Sequence, residues 1–415
     1  MRRISLLFVL LCAFPATSQS LQQLYAESKK AYESKDYVSF LKQNIKLDSL
    51  RPSHPAFTYN LAVAYAMNSN ENQSLKVLKK AVLMNNEIEF ETAEDFESLI
   101  ELQGFKDLIQ LKTDLNIPVM TSAKVLSLSE KDLHTEGVLY LKKSKKWLAT
   151  SIRKHKIIEF DSAGKCSDWL KSDDILAVFS MKADSKEKYL WVATSAMPEM
   201  QGFTKESDGK AEILKVEISS RKIIQRFKIE GKHVFGDLAI AKNGDVYITD
   251  SANAMVYRIK DNKMQTWLHL EKEAFNLQGI TFNNDFSQLY IADYLKGILS
   301  IQISKPQNRN WLQFPESTTT KGIDGLVFYK NSLIAVHNGV TPIRIVRYFL
   351  NDKSEIADYK ILDHNRPVFN EPALATIKGN ELYFFANSPW KAYDKSFTLD
   401  VSKFENPMLF KAVLD

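Results

Sequence analysis

Five polar residues occupy equivalent positions in a repeated pattern, and an apolar segment follows each of them. They are Glu136, Asp237, Gln278, Asp324 and Glu371. If the fold brings them together, the acids among them will repel one another unless they are protonated or neutralised. A hard cation with oxygen ligands, Ca²⁺ by preference, removes that repulsion. The alternative is that each acid only accepts hydrogen bonds from the backbone of a neighbouring segment.

The spacing of these positions indicates how the chain folds. From Asp237 to Glu371 the successive positions are 41, 46 and 47 residues apart, and Glu136 precedes Asp237 by 101 residues, about two such steps. A degenerate copy at residues 177–193 fills that gap. Units of about 40–50 residues are the period of a β-propeller built from four-stranded blades. We therefore predict an all-β six-bladed propeller over residues 118–415.

The units also have the composition of strands. Residues 288–293, for example, are rich in β-branched, aromatic and other apolar side chains and follow a short turn cluster. The first strand of each blade lines the channel of a propeller, so Glu136, Asp237 and Asp324 are expected within a few ångströms of one another. Residues 119–128 are strand-like, and we expect them to pair into the last blade and close the ring, which removes exposed sheet edges.

The segment before the propeller, residues 19–117, has apolar residues three and four positions apart, which is typical of helices. Its packing positions resemble those of a tetratricopeptide repeat: Leu61, Ala62, Tyr65, Leu78 and Ala81. A weaker earlier unit matches it at an offset of 34 residues, with Tyr37 opposite Glu71. We predict a small all-α tetratricopeptide-like domain. It either packs on the propeller or offers an independent groove to a peptide or protein partner.

Composition and charge restrict the possible functions. The chain has 415 residues, of which 45% are hydrophobic and 25% charged, the balance of a soluble globular protein. The net charge of +5 is a small excess of 55 basic over 50 acidic residues, so no nucleic-acid partner is expected. The sequence has no Gly-x-Ser-x-Gly, no phosphate-binding glycine loop, no His-Glu-x-x-His and no Cys-x-x-Cys. Zinc and nucleotide cofactors are therefore not expected.

The first 18 residues have the pattern of a secretory signal peptide. A basic start, a short apolar run and small residues predict cleavage after Ser18. The apolar run is too short to span a bilayer, so we expect no transmembrane segment in the mature chain and a secreted or periplasmic location. Lipidation at Cys12 is the alternative, although Leu11 is not the small residue that a lipoprotein signal places there. Cleavage leaves Cys166 as the single cysteine, which excludes an internal disulfide.

The repeated segments resemble the gluconolactonase, senescence-marker-protein and luciferin-regenerating-enzyme family of calcium-dependent six-bladed propellers. The resemblance covers about residues 119–415. It implies that Glu136, Gln278 and Asp324 are Ca²⁺ ligands and that Asp324 also accepts a proton. Asp237 falls closest to a further polar residue that the family keeps near the metal. Gln278 departs from the family pattern, which has asparagine at this position.

The resemblance implies an exported, calcium-dependent hydrolase of lactones or related esters. We assign Asp237, His134, His337 and Glu371 to contacts with the substrate or to the surroundings of the metal. Residues 194–209 are longer than a hairpin needs and form either a lid over the ring or a surface excursion. The rival function is a non-catalytic propeller that binds a peptide, a glycan or a protein partner.

Overall fold

The computed structural model of the chain describes residues 20–415. The predicted secretory signal, with its cleavage site after Ser18, lies outside this range. Within residues 20–415, no helix combines the length and the hydrophobicity that crossing a membrane requires.

The described chain begins with a helical segment that confirms the predicted α-helical region. Its helices are α1 Leu21–Glu33, α2 Tyr37–Leu50, α3 Pro55–Met67, α4 Glu71–Met84 and α5 Gln103–Asp114, with a 3₁₀ helix at Glu94–Leu99 before α5. The starts of α1 and α3 are 34 residues apart, as are those of α2 and α4, which matches the expected repeat offset. Local caps set these starts: Ser20 and Gln23 form a capping box at α1, and Pro55 opens α3.

Strands follow from residue 119 onward. Two short strands come first, β1 Val119–Met120 and β2 Ala123–Ser127. The first three blades are β3 Val138–Leu141, β4 Lys146–Ser151, β5 Lys156–Phe160 and β6 Cys166–Lys171; β7 Ala177–Ala183, β8 Tyr189–Ser195, β9 Ala211–Glu217 and β10 Lys222–Lys228; and β11 Phe235–Ile240, β12 Val246–Asp250, β13 Met255–Lys260 and β14 Lys263–His269. The remaining strands are β15 Leu277–Phe282, β16 Gln288–Asp293, β17 Gly297–Gln302 and β18 Arg309–Trp311; β19 Ile323–Phe328, β20 Ser332–His337, β21 Arg344–Leu350 and β22 Ile356–His364; and β23 Ala375–Lys378, β24 Glu381–Phe385 and β25 Met408–Val413.

In the described chain these strands form six antiparallel sheets, which confirms the predicted six-bladed propeller. The sixth blade has the order β2-β25-β24-β23, so a strand from the start of the propeller completes its last blade and closes the ring, as predicted. The preceding strand β1 differs from the expectation, because it adds to the outer edge of the fifth blade beside β22. The core lies between blades: Ile213 of the second blade, for example, packs with Leu238 and Ile248 of the third.

The innermost strands of neighbouring blades come into backbone contact around the channel. A Cβ atom on Gly279 would lie 2.5 Å from the amide nitrogen of Leu326, and one on Gly325 would lie 2.1 Å from the carbonyl oxygen of Ala373. Both separations are shorter than van der Waals contact with backbone atoms that have little room to move. A glycine at these positions therefore allows the innermost strands to approach closely.

The helical segment packs directly on the fifth blade. The guanidinium Nη2 of buried Arg344 donates to the carbonyl oxygen of Leu83 at 2.9 Å, which satisfies a carbonyl in the last turn of α4. The backbone of Thr341 makes two hydrogen bonds at the end of α4: its amide donates to Met84, the last residue of the helix, and its carbonyl oxygen accepts from Asn86, both at 2.9 Å. Of the two arrangements left open by the sequence, the structure shows the helices packed on the propeller.

The close approach at Gly325 generates a prediction for stability. Gly325→Ala should lower the free energy of unfolding by about 3 kcal/mol, the upper end for overpacking, because the added methyl group meets a fixed carbonyl. Urea unfolding followed by circular dichroism measures the change. Gly379→Asn is the control in the sixth blade: nothing lies within 4 Å of its Cβ position and its φ is +67°, a conformation that asparagine tolerates. Equal stability of the two variants would contradict the inferred packing.

Candidate functional site

A pocket of about 350 Å³ opens at the channel, and the five polar residues found in the sequence repeat all line it. These are Glu136, Asp237, Gln278, Asp324 and Glu371. The pocket has no Lys, Arg or His among its lining residues. The sequence repeat therefore brings these side chains into one volume, and four of the five are acids.

Irregularities in the innermost strands place three of these residues at the channel. The register of β11 with β12 shifts between Phe235 and Leu238, and Asp237 lies within this shift. Gln278 lies in the equivalent shift of β15, and Asp324 in that of β19. A bulge turns its extra residue out of the normal alternation of a strand. The bulges place these three residues within the innermost strands, whereas Glu136 and Glu371 lie before β3 and β23.

The two carboxylates Glu136 and Asp324 are each held by a neutral donor. The indole Nε1 of Trp390 donates to Glu136 Oε1 at 2.7 Å. The amide Nδ2 of Asn338 donates to Asp324 Oδ2 at 2.5 Å, and the hydroxyl of Tyr294 donates to Asn338 Oδ1 at 3.1 Å. These hydrogen bonds orient the carboxylates without neutralising their charge.

Burial and mutual repulsion make these acids hard to ionise. Burial raises the pKa of Glu136 well above its ordinary range, and the nearby Asp324 carboxylate adds to the effect. Burial also raises the pKa of Asp324 to about 7; the Asn338 amide opposes this, and the charges of Asp237 and Glu371 add to it. The pKa of Glu371 is raised by burial, while Lys391 draws it down. Perturbed carboxyl groups that share a pocket are typical of functional sites.

Asp237 and Gln278 have different surroundings from this pair. Asp237 accepts from the amide of Leu238 at 2.8 Å and from the amide of Ile280, in the next blade, at 3.2 Å. It therefore forms the backbone hydrogen bonds that were the alternative to metal binding. The side-chain amide nitrogen of Gln278 donates to Asn276 Oδ1, so its oxygen Oε1 is the atom that it can offer to a ligand.

The two histidines proposed from the sequence do not line this pocket. His337 is buried within the fifth blade, where its Nδ1 lies 2.9 Å from the carbonyl oxygen of Lys321 and its Nε2 lies 3.1 Å from the hydroxyl of Tyr348. His134 is also buried, and its ring centroid lies 4.5 Å from that of Trp390. Burial lowers the pKa of both rings to about 3, so both are neutral. The His134 ring contacts the rings of Trp390 and Tyr393, and of these two Trp390 lines the pocket.

Part of the segment at residues 194–209 reaches the pocket. Residues 194 and 195 belong to β8, and the segment then leaves the sheet. Met197 lines the pocket, and Met200 belongs to an apolar cluster with Phe179 and Trp390. The segment thus covers one apolar side of the site.

Sequence reasoning missed several residues of the site, among them Asn276, Tyr294, Asn338 and Trp390. Asn276 directly precedes the first strand of its blade, and Tyr294 and Asn338 directly follow the second strands of the fourth and fifth blades. Trp390 belongs to a long excursion between β24 and β25. A polar residue directly after a second strand, such as Asn338 after β20, is the one signal that could have indicated them.

The donor atoms of the pocket suit a hard cation in their chemistry. Glu136 and Asp324 supply carboxylate oxygens and Gln278 an amide oxygen, the ligand types that Ca²⁺ prefers. Within residues 20–415, however, no three side chains of His, Cys, Asp or Glu are already arranged as a metal site. Cation binding would therefore require these side chains to move closer together.

Comparisons with known proteins support the fold. No family model and no curated protein sequence matches the chain. A calcium-binding protein, regucalcin from Agrobacterium tumefaciens, is 13% identical, with a TM-score of 0.50 over 71% of this chain and 95% of that one. A luciferin-regenerating enzyme is 14% identical (TM-score 0.48; 72% and 95% covered), and a gluconolactonase from Xanthomonas campestris is 12% identical (TM-score 0.47; 72% and 95% covered). At these identities the likeness shows the fold alone, a six-bladed propeller.

The raised pKa of Asp324 predicts how stability depends on pH without metal ions. Between its ordinary pKa and about 7, the folded protein holds a proton that the unfolded chain has lost, so stability falls as pH rises through that range. Asp324→Asn removes this cost. In EGTA, the stability gained over wild type should be about 2 kcal/mol larger at about pH 8 than at about pH 5.

Urea unfolding at the two pH values measures this difference. The control is Asp173→Asn, which removes an exposed carboxylate that does not line the channel pocket. It should change stability little and equally at both pH values. A gain for Asp324→Asn that does not grow with pH would show that its carboxylate is not electrostatically strained.

Proposed function

We propose that the protein is a calcium-dependent hydrolase of small lactones or esters, with its reaction site in the channel pocket. The observation that carries the proposal is the pair Glu136 and Asp324: their pKa values are raised, and no basic side chain lines the pocket they share. Such an arrangement is costly for folding alone. It becomes favourable when a cation binds, and it provides a proton acceptor near neutral pH.

In this proposal the oxygens of Glu136, Gln278 and Asp324 hold the cation. A bound cation of this kind supplies charge that polarises a carbonyl group and lowers the pKa of a water molecule. Asn338 and Tyr294 fix the orientation of the Asp324 carboxylate. Asp324 is then positioned to take a proton from the attacking water at one defined oxygen.

The rest of the pocket is suited to a small organic substrate. Phe179, Met197 and Leu374 line it and would bind the hydrocarbon part of a lactone or ester while excluding water. The cavity of about 350 Å³ is in the range of small-molecule sites. A secretory signal at residues 1–18, which we also propose, would place the hydrolase in the periplasm or outside the cell.

A non-catalytic binding protein is the second candidate. Asp237 favours it, because its carboxylate bonds the backbone amides of Leu238 and Ile280, as an acid with a purely structural role would. Gln278 favours it as well, since its longer side chain changes the ligand geometry that the resemblance implies. In this case the propeller and the packed helices would hold a peptide, glycan or protein partner without chemistry.

The proposed cation site predicts stabilisation by calcium. Millimolar Ca²⁺ should raise the melting temperature above that in EGTA, because a ligand that binds only the folded state stabilises it by about 2.7 kcal/mol at a hundred times its dissociation constant. Glu136→Gln should lose most of this shift, and Asp173→Asn should keep it. Identical wild-type melting curves in Ca²⁺ and in EGTA would contradict the cation site and favour the non-catalytic binding function over the hydrolase.

The proposed role of Asp324 predicts the loss of activity. Asp324→Asn keeps the shape of the side chain but cannot take the proton, so lactone hydrolysis should fall by about 10²–10⁴-fold. Purified wild type is first assayed with Ca²⁺ on sugar lactones, aliphatic lactones and aryl esters. The best substrate is then used to compare Asp324→Asn with Asp173→Asn. Full activity in a folded Asp324→Asn protein would rule out this residue as the base.

A further inference from the structure

A second cavity, of about 480 Å³, adjoins the channel pocket on the side of the helical segment. It is lined by Met84 and Asn85 at the end of α4 and by the loop between β20 and β21. Tyr294, Asn338 and Glu371 line both this cavity and the channel pocket. The two cavities therefore meet at these three side chains.

The two adjoining cavities have opposite charge. Four acids and no basic residue line the channel pocket, whereas Lys321, Arg366 and Lys391 line the second cavity with Glu371 as its one acid. Arg366 is already paired with Asp363 at 2.8 Å. Lys391 is exposed and lies near Glu371. The positive charge least compensated by the protein is therefore that of Lys321.

Lys321 is half-buried and held in a defined position. Its ammonium lies 5.4 Å from the centroid of the Tyr294 ring. That ring in turn packs on Gly339, where a Cβ atom would lie 2.4 Å from the tyrosine oxygen. A larger residue at position 339 would displace Tyr294. Gly339 therefore allows the Tyr294 ring to take the position in which it contacts the Lys321 ammonium.

The helical segment places a second cation, Arg51, near Lys321. Burial, and then Arg51 just after α2, lower the pKa of Lys321. Burial, Arg51 and Lys321 likewise lower the pKa of His54, which precedes α3. Basic groups from the helices and from the propeller thus meet at this junction. A partly desolvated ammonium near another cation is unfavourable until an anion joins it.

We propose that the second cavity is a binding site for a small organic anion, carrying a carboxylate or a phosphate, and that Lys321 is its main contact. The channel pocket would then take the reacting group of the same molecule. This second step rests on the proposed hydrolase function, whereas anion binding does not. The substrate class that follows is a lactone or ester with a negatively charged group on its far side.

Calorimetry on the full chain tests anion binding directly, without any turnover. The probes are inorganic phosphate, glutarate and the neutral analogue glutaramide. Wild type should bind phosphate, glutarate or both, and should not bind glutaramide; which anion binds identifies the charged group. Lys321→Gln should weaken binding about 10–100-fold, the loss expected for a charge-assisted contact, and the exposed control Lys272→Gln should not.

Two outcomes would overturn the proposal: neither anion binds to wild type, or Lys321→Gln binds them as tightly as wild type. If Lys321→Gln does not fold, the exposed Lys391→Gln should still weaken binding, and unchanged affinity there would count against the cavity. Once a hydrolysed ester is known, Lys321→Gln should raise the KM of an anionic ester more than that of its neutral analogue. Anion binding without turnover of any ester would reject the hydrolase and retain the anion site.

Discussion

Backbone contact between the innermost strands is the constraint on which the rest of the structure depends. Gly279 and Gly325 approach backbone atoms of the next blade so closely that no side chain fits. The residue before each glycine, Gln278 or Asp324, lies in a bulge and lines the channel pocket. In each of these dipeptides the glycine allows the blades to approach closely, and the residue before it places a polar group in the channel. Close approach of the innermost strands therefore also brings the acids of the channel closer together.

This geometry has an electrostatic cost that the protein does not remove by itself. Glu136 and Asp324 receive hydrogen bonds from an indole and an amide, which are neutral donors. Among the channel acids, Asp237 has Lys182 Nζ at 3.9 Å from its Oδ1, whereas Lys321 lies in the adjoining cavity against the Tyr294 ring. Glu136 and Asp324 are thus kept apart from Lys321 instead of pairing with it, although such a pair would stabilise both groups. Separated unpaired charges are suited to ligands of opposite charge.

Much of the fold could be predicted because repetition is visible in sequence. The spacing of Asp237, Gln278 and Asp324 gave the blade period, and the 34-residue offset of the helices is equally regular. The bulges could not be predicted, since they depend on how each innermost strand packs on its neighbour. Trp390 comes from the long excursion between β24 and β25, which lies outside the repeat. Lys321 becomes notable only when packing of the helices leaves it half-buried near Arg51.

The central claim is that the acids of the channel bind a hard cation, and terbium luminescence tests it most directly. Tb³⁺ resembles Ca²⁺ in its preference for oxygen ligands, and tryptophan close to it sensitises its emission. Trp390 donates to Glu136 at 2.7 Å, so it would lie beside the ion. The account predicts sensitised emission that excess Ca²⁺ displaces and that Trp390→Phe largely abolishes. Emission that is absent from wild type, or that is unchanged in Trp390→Phe, would contradict it.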